Sequence, residues 1–251
     1  MSIPLSVSKS GMNAIQNQMD AVSNDIANIN TTGYKSKNIS FNELLLNDMN
    51  AEAAYLSDTV QGSGIAIGSK SAVTSTNFAQ GSLVSDSNDY HLAIAGEGFF
   101  GVISENGEQY LTRDGAFQVN GDKSITNGNG DTLEIQATIP TNQWPEGDVS
   151  IAENGEVTIH SENGSTLVGT IPLFYPTRTN AMQPVGENKF SYDGTFEVGD
   201  GAIQQNYLEA SNVDLASSIT EMMLAQRSYS LNLKVAQGTD EMASVINQFK
   251  Q

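Results

Sequence analysis

Leu5-Ser6-Val7-Ser8-Lys9-Ser10-Gly11-Met12-Asn13-Ala14-Ile15-Gln16-Asn17-Gln18-Met19-Asp20-Ala21-Val22-Ser23-Asn24-Asp25-Ile26-Ala27-Asn28-Ile29 is the stretch that decides the fold. Leu5, Ser8, Met12, Ile15, Met19, Val22, Ile26 and Ile29 follow one another at alternating spacings of three and four, and all but Ser8 are apolar. That spacing is the seam of a heptad repeat, the pattern of a helix that supercoils with a partner. Ser2 suits an N-cap, and Pro4 falls in the first turn, where its missing N–H is harmless. Asn30-Thr31-Thr32-Gly33 breaks the pattern. A helix of about 28 residues would be about 42 Å long at 1.5 Å per residue.

The other end of the chain repeats the theme. Leu215, Ile219, Met222, Tyr229, Leu233 and Ala236 share one register of a helix expected over 213–249. Leu231, Val235, Met242, Val245 and Phe249 continue the stripe on a neighbouring face, so the helix is expected to touch more than one neighbour. Met222, Met223 and Met242 add adaptable contact surface. Ser211, with Asp214 three residues on, approximates a capping box, and the acid suits the positive helix end. Leu5, Met12, Ile15, Met19, Val22, Ile26, Ile29, Leu215, Ile219, Met222, Tyr229, Leu233, Ala236 and Met242 are therefore the candidate subunit-interface residues.

Between these ends the sequence reads as β-structure. Asn-Gly occurs at 106, 120, 127, 129, 154 and 163, and Asp-Gly at 114, 193 and 200, dipeptides that supply the left-handed residues of tight hairpin turns. Short β-rich runs lie among them: Phe99 to Ile103, Val149 to Ile151, Val157 to Ile159 and Leu173 to Tyr175. The fold class expected is α+β: long N- and C-terminal helices forming a coiled-coil layer, with a central, mostly antiparallel β domain. The domains expected are a helical one of 1–33 plus 211–251, an extended arm or hairpin over 34–90, and the β domain over 91–210. Within the arm, Phe41, Leu44, Leu45 and Leu46 precede a polar run from Asn47 to Gln61.

Composition narrows the function. The chain has 251 residues, enough for a sizeable core, with 38% hydrophobic and 7% aromatic residues and a formal net charge of −18. That charge argues against a basic patch for nucleic acid or anionic lipid. With no cysteine in the sequence, thiol catalysis, disulfides and thiolate metal sites are excluded. No stretch approaches the ~20 apolar residues that span a bilayer, so no membrane insertion is expected. Met1-Ser2-Ile3-Pro4-Leu5-Ser6 lacks a basic region followed by an apolar core, so export is expected to need a dedicated machine.

Motifs of chemistry are sparse. The two histidines, His91 and His160, stand far apart, and no G-x-S-x-G elbow accompanies them. Gly62-Ser63-Gly64-Ile65-Ala66-Ile67-Gly68 lacks the spacing, lysine and following helix of a nucleotide loop. Asn127-Gly128-Asn129-Gly130-Asp131 alternates oxygen side chains as a calcium loop does, but Thr132 and Thr138 stand where that motif wants Gly and Glu, and consecutive turns explain it better. Carboxylate pairs such as Asp86 and Asp89 are too common to mark a glycosidase. No catalytic residue, cofactor or metal is expected.

Ala27-Asn28-Ile29-Asn30-Thr31-Thr32-Gly33-Tyr34-Lys35 resembles the signature after the first helix of bacterial flagellar rod and hook proteins. Leu92-Ala93-Ile94-Ala95-Gly96-Glu97-Gly98-Phe99-Phe100 and Thr112-Arg113-Asp114-Gly115-Ala116-Phe117 resemble that family's central β motifs. Leu208-Glu209-Ala210-Ser211-Asn212-Val213-Asp214-Leu215, followed by Ala225-Gln226-Arg227-Ser228-Tyr229, resemble its C-terminal signature. The resemblance implies a structural subunit of the bacterial flagellum basal body that stacks into a helical homopolymer, the torque-transmitting axial tube. It further implies export through the flagellar type III apparatus and contact with neighbouring rod and hook proteins. The long stretch from Phe41 to Gly68 resembles the arm of the distal rod protein, with a proximal rod or a short hook or hook–basal-body subunit as alternatives. Outside the family, a surface adhesin or an enzyme acting on cell-wall glycan are the competing classes.

Overall fold

A computed structural model describes residues 3–46, 65–162, 164–197 and 201–249. The arm from Asn47 to Gln61 lies outside the described residues. By internal packing the chain divides into two units: Met1–Ala27, Lys37–Thr76 and Asp214–Gln251 form one, and Asn28–Ser36 with Asn77–Val213 form the other. Residues 28–36 and 77–90 thus pack with the β-structure, and the hairpin packs with the helices.

The first unit holds helix α1 (Ile3–Ala27), strand β1 (Lys37–Leu46), strand β2 (Ile65–Thr76) and helix α2 (Leu215–Gln248). β1 and β2 pair antiparallel, with register shifts between Asn38 and Ile39 and between Leu44 and Leu45. α1 packs on both α2 and β2. Where the helices meet, a Cβ on Gly11 would stand 3.6 Å from the Asn232 side chain. At the foot of α1, the buried Asp25 accepts the Lys37 backbone N–H through both carboxylate oxygens at 3.3 Å. α2 begins at Leu215, two residues later than the sequence suggests. Asp214, not Ser211, is its N-cap: Asp214 Oδ1 accepts the N–H groups of Ala216 at 2.8 Å and Ser217 at 3.1 Å, two of the donors a helix start leaves free. Ser211 instead accepts the Val213 N–H through its hydroxyl.

The second unit is the β domain, and its strands pair antiparallel. It contains a nine-stranded sheet, a four-stranded sheet and two two-stranded ribbons. The runs read from sequence appear as strands, Phe99–Ile103, Asp148–Ile151, Glu156–Ser161 and Leu173–Pro176. Strand β3 (Leu83–Ser85) pairs with Tyr207–Glu209, and β4 (Leu92–Ala95) with Ala202–Gln205. Strands β5 (Phe99–Ile103) and β6 (Gln109–Thr112) form a hairpin in the large sheet. The main core gathers Leu92, Ile94, Phe100, Val102, Phe117, Val157 and Val168, with Phe100 and Phe117 edge to face at 5.5 Å. A smaller core of Phe99, Leu111, Met182 and Phe190 is lidded by Phe78. The long-range pairings β3 and β4 make with 202–209 carry the last part of the β domain back to its first part.

Candidate functional site

Two features stand out, one in each unit: a sealed polar cluster and an open apolar helix face.

The polar cluster centres on Glu209, which is 1% exposed. Its Oε1 accepts the Lys35 ammonium at 2.6 Å and the Gly81 N–H at 2.8 Å, and its Oε2 accepts Arg113 at 3.1 Å. Lys35 donates on to Ala79 O, and Arg113 donates to Gly96 O while lying over the Phe99 ring. Burial pulls the Lys35 ammonium below the usual lysine range, against the opposing pull of Glu209. Backbone and amide bonds close the rest: Gly33 N–H donates to Glu209 O, Thr32 Oγ1 to Asp114 Oδ1, and Asn212 Nδ2 to both Asn77 O and Ala79 O. Gly33 has φ +66°, and a Cβ there would come within 2.5 Å of the Arg113 carbonyl carbon. Only glycine takes that conformation so close to backbone. Sequence reading quoted Lys35, Arg113 and Glu209 as parts of motifs but assigned them no work. They bind three remote stretches together through paired charges taken out of water, with Arg113 Nε the one member nitrogen that is buried without a hydrogen-bond partner among the described residues.

Chemistry elsewhere in the β domain is structural. Asp131 is paired with Lys189 at 3.0 Å and accepts Asn127 Nδ2, so the Asn127–Asp131 loop is closed from within by a lysine. Burial works against the Lys189 charge, but the hydrogen bonds it donates to the Glu187 and Asp131 carboxylates outweigh that cost and hold its pKa above the usual value. Among the described residues no cluster of His, Cys, Asp and Glu could hold a metal ion. His160 Nδ1 lies 2.7 Å from Ser165 Oγ on an exposed strand face, and Asp148 is its cross-strand neighbour. Among the described residues no hydrogen bond or ion pair joins Asp148 to that ring, so the row is not a charge-oriented triad. His91 faces Asp86 at 3.4 Å and Asn88 at 3.3 Å, at the start of β4.

The helix pair holds the residues singled out for interfaces. On α1, Ser8, Ile15 and Val22 are buried together with Ala14 and Ala21. Met12, Met19 and Ile26, the other row of the seam, are only half-buried, as is Ile29 in the second unit. The side chain of Leu5 lies outside the described residues. The buried side of α1 is thus turned away from the centre of the heptad stripe, towards the alanines. A long coiled-coil layer formed by the N-terminal helix is not what this chain shows by itself: one row of the seam is used and one is left over.

α2 departs further from its reading. Its inward row is Ser218, Met222, Ala225, Tyr229, Asn232, Ala236 and Thr239, spaced four and three, mostly small or polar, and half-buried or buried. Leu215, Ile219 and Leu233, expected to share a register with Met222, Tyr229 and Ala236, lie exposed instead. So do Met223, Leu224, Leu231, Val235, Met242, Val245 and Phe249, with Leu231 62% and Met242 63% exposed. Small side chains on the inner row admit the close approach seen at Gly11 and Asn232, and they leave the large ones outside. Such an apolar face on one helix exceeds the scattered exposed side chains of an ordinary surface. A shallow groove on it is lined by Met223, Arg227, Leu231 and Lys234.

Comparison with known proteins gives these features a family. Residues 5–35 match the family described as "Flagella basal body rod protein", residues 93–159 the "Flagellar hook protein FlgE/F/G D1 domain", and residues 204–249 the "Flagellar basal body rod FlgEFG protein C-terminal". The chain is 32% identical to the flagellar basal-body rod protein FlgG of Agrobacterium fabrum, across 97% of this chain and 98% of that one. The chain belongs to the flagellar basal-body rod and hook protein family. It is also 31% identical to the FlgG of Caulobacter vibrioides across 98% of both chains. With the flagellar hook-basal body complex protein FlhP of Bacillus subtilis it shares 28% identity across 95% of this chain and 96% of that one. Each of the three matched rod and hook segments contributes one member of the buried cluster: Lys35, Arg113 and Glu209.

Proposed function

We propose that the chain is a structural subunit of the flagellar rod in the basal body, of the distal-rod kind, and that it polymerises helically with copies of itself into an axial tube that carries torque. The observation that carries this reading is the outward face of α2, where Leu231, Val235, Met242 and Val245 stand exposed on a helix whose inner row is already occupied. A partner that covers this face removes apolar surface from water at roughly 25 cal/mol per Å², and repetition around a helix gives every subunit the same gain. The half-buried row of Met12, Met19 and Ile26 offers a second strip for the same purpose. The self-contained β domain supplies a rigid body for each repeat. The role is mechanical, with neighbouring rod and hook proteins at the ends of the stack and delivery by the flagellar type III apparatus.

The test is assembly of the purified full-length chain at high concentration, followed by negative-stain microscopy. Wild-type protein should form tubes or filaments, and Leu231→Asp should stay monomeric with its β domain intact. A Leu231→Asp protein that builds the same tubes would remove α2's outer face from the interface.

A further inference from the structure

The Asn-Gly dipeptides serve the hairpins, but they are also the sequence most prone to lose ammonia, and the fold does not treat them alike. In this reaction the backbone nitrogen of the glycine, after losing its proton, attacks Cγ of the asparagine. The N–Cγ bond forms, the Cγ–Nδ2 bond breaks, and Nδ2 leaves as ammonia carrying the proton the glycine nitrogen gave up. Water then opens the cyclic imide at one or the other carbonyl, giving aspartate or isoaspartate. Two things in a fold slow the first step: a glycine N–H already held by an acceptor, and an asparagine amide buried and locked.

Asn106, Asn129 and Asn154 sit one place before the glycine whose N–H closes the turn. Gly107 donates to Ser104 O at 2.8 Å, Gly130 to Asn127 O at 3.1 Å, and Gly155 to Ala152 O at 2.9 Å. Their nucleophile is occupied. Asn127 and Asn120 stand instead at the first position of their turns, and among the described residues neither Gly128 nor Gly121 donates a backbone bond of this kind. Asn127 is protected in another way: it is 5% exposed, its Oδ1 accepts two backbone N–H groups, and its Nδ2 is tied to Asp131. Asn120 is exposed, and among the described residues its side chain is engaged only through Nδ2, which donates to the hydroxyls of Ser124 and Thr126. Asn163 lies outside the described residues.

We infer that Asn120–Gly121 is a modification site, the one of these five pairs where a free glycine nitrogen meets an exposed asparagine, and that it deamidates first in the folded protein. The change replaces the two hydroxyl contacts of Nδ2 with a carboxylate two residues from Asp122, at the tip of the Gln118–Val119 and Ile125–Thr126 hairpin.

The experiment ages the full-length protein at mildly alkaline pH and physiological temperature, with peptide mapping by mass spectrometry. A parallel run in 18O-labelled water marks the imide-opening step. The expected result is conversion at Asn120 severalfold ahead of Asn106, Asn127, Asn129 and Asn154, a lead that disappears in urea, where every pair is equally free. Gly121→Ala is the second arm. A Cβ there meets nothing within 4 Å, so the turn accepts it while the attacking nitrogen is hindered. Conversion at residue 120 should then fall severalfold with thermal stability unchanged. The inference is overturned if Asn106 or Asn129 converts first in the folded protein, or if Gly121→Ala leaves the Asn120 rate as it was.

Discussion

The buried cluster around Glu209 and the outer face of α2 make opposite use of side chains. In the cluster, two cations and a carboxylate sit in the interior with their partners in place, and the charges are 0–4% exposed. On α2, leucine, methionine and valine side chains stand about half or more exposed among the described residues. A polar interior whose charges are paired belongs to a part that holds its own shape. An apolar exterior that is incomplete belongs to a part whose shape is finished by something else. Under the proposed function, the β domain supplies stiffness and the helix pair supplies the joining surface.

Removing the centre of the cluster should have the largest effect. Glu209→Ala strands Lys35 and Arg113 in the interior, and breaking a buried pair in this way costs about 3–5 kcal/mol. Urea denaturation followed through the β domain should register most of that loss, and a midpoint equal to wild type would reduce the cluster to ornament. Gly33→Ala is the next largest. It forces a side chain into a positive-φ position against the Arg113 backbone, and should cost more than ~1 kcal/mol in the same assay. An unaltered melt would show that the backbone there yields freely.

On the other side of the comparison the monomer should barely respond. Leu231→Asp touches an exposed position and should move monomer stability by no more than ~0.5 kcal/mol, while sedimentation at high concentration shows assembly lost. A large drop in the monomer's melting temperature would mean that this face is already covered within one chain. The smallest effect expected is at alkaline pH. Lys189 has its pKa raised above the ordinary 10.5, so its pairing with Asp131 and Glu187 contributes fully below that value. The contribution is lost as pH rises through the folded-state pKa. Lys189→Met should flatten the stability curve in that alkaline window, and an identical curve would assign the loss to other groups.

How much of this could be read from the sequence follows from the range of each interaction. α1 was expected to run from near Ser2 to near Asn30 and spans Ile3–Ala27, because periodicity and a glycine stop are local signals. The hairpin strands were visible for the same reason, since Asn-Gly and Asp-Gly turns announce themselves. The start of α2 was displaced to Asp214 because both Ser211 and Asp214 are competent caps, and only the backbone path decides between them. The inner row of α2 was hidden by its own modesty. Ser218, Ala225, Asn232 and Thr239 draw no attention beside Leu231 or Met242, yet close helix approach selects the small residues for the inside. The Glu209 cluster was out of reach altogether. Its members come from three separate segments, and no local pattern pairs a lysine with a glutamate so far along the chain.

That separation has a consequence for the order of events in folding. Lys35 and Glu209 are 174 positions apart, and β3 and β4 likewise wait for the strands at 202–209. A contact that closes so long a loop comes late, because its entropy is lost before its reward arrives. As the chain is synthesised, Lys35 precedes Glu209 by 174 residues and Arg113 precedes it by 96. The cluster that ties these three segments together is therefore among the last contacts of the chain to close.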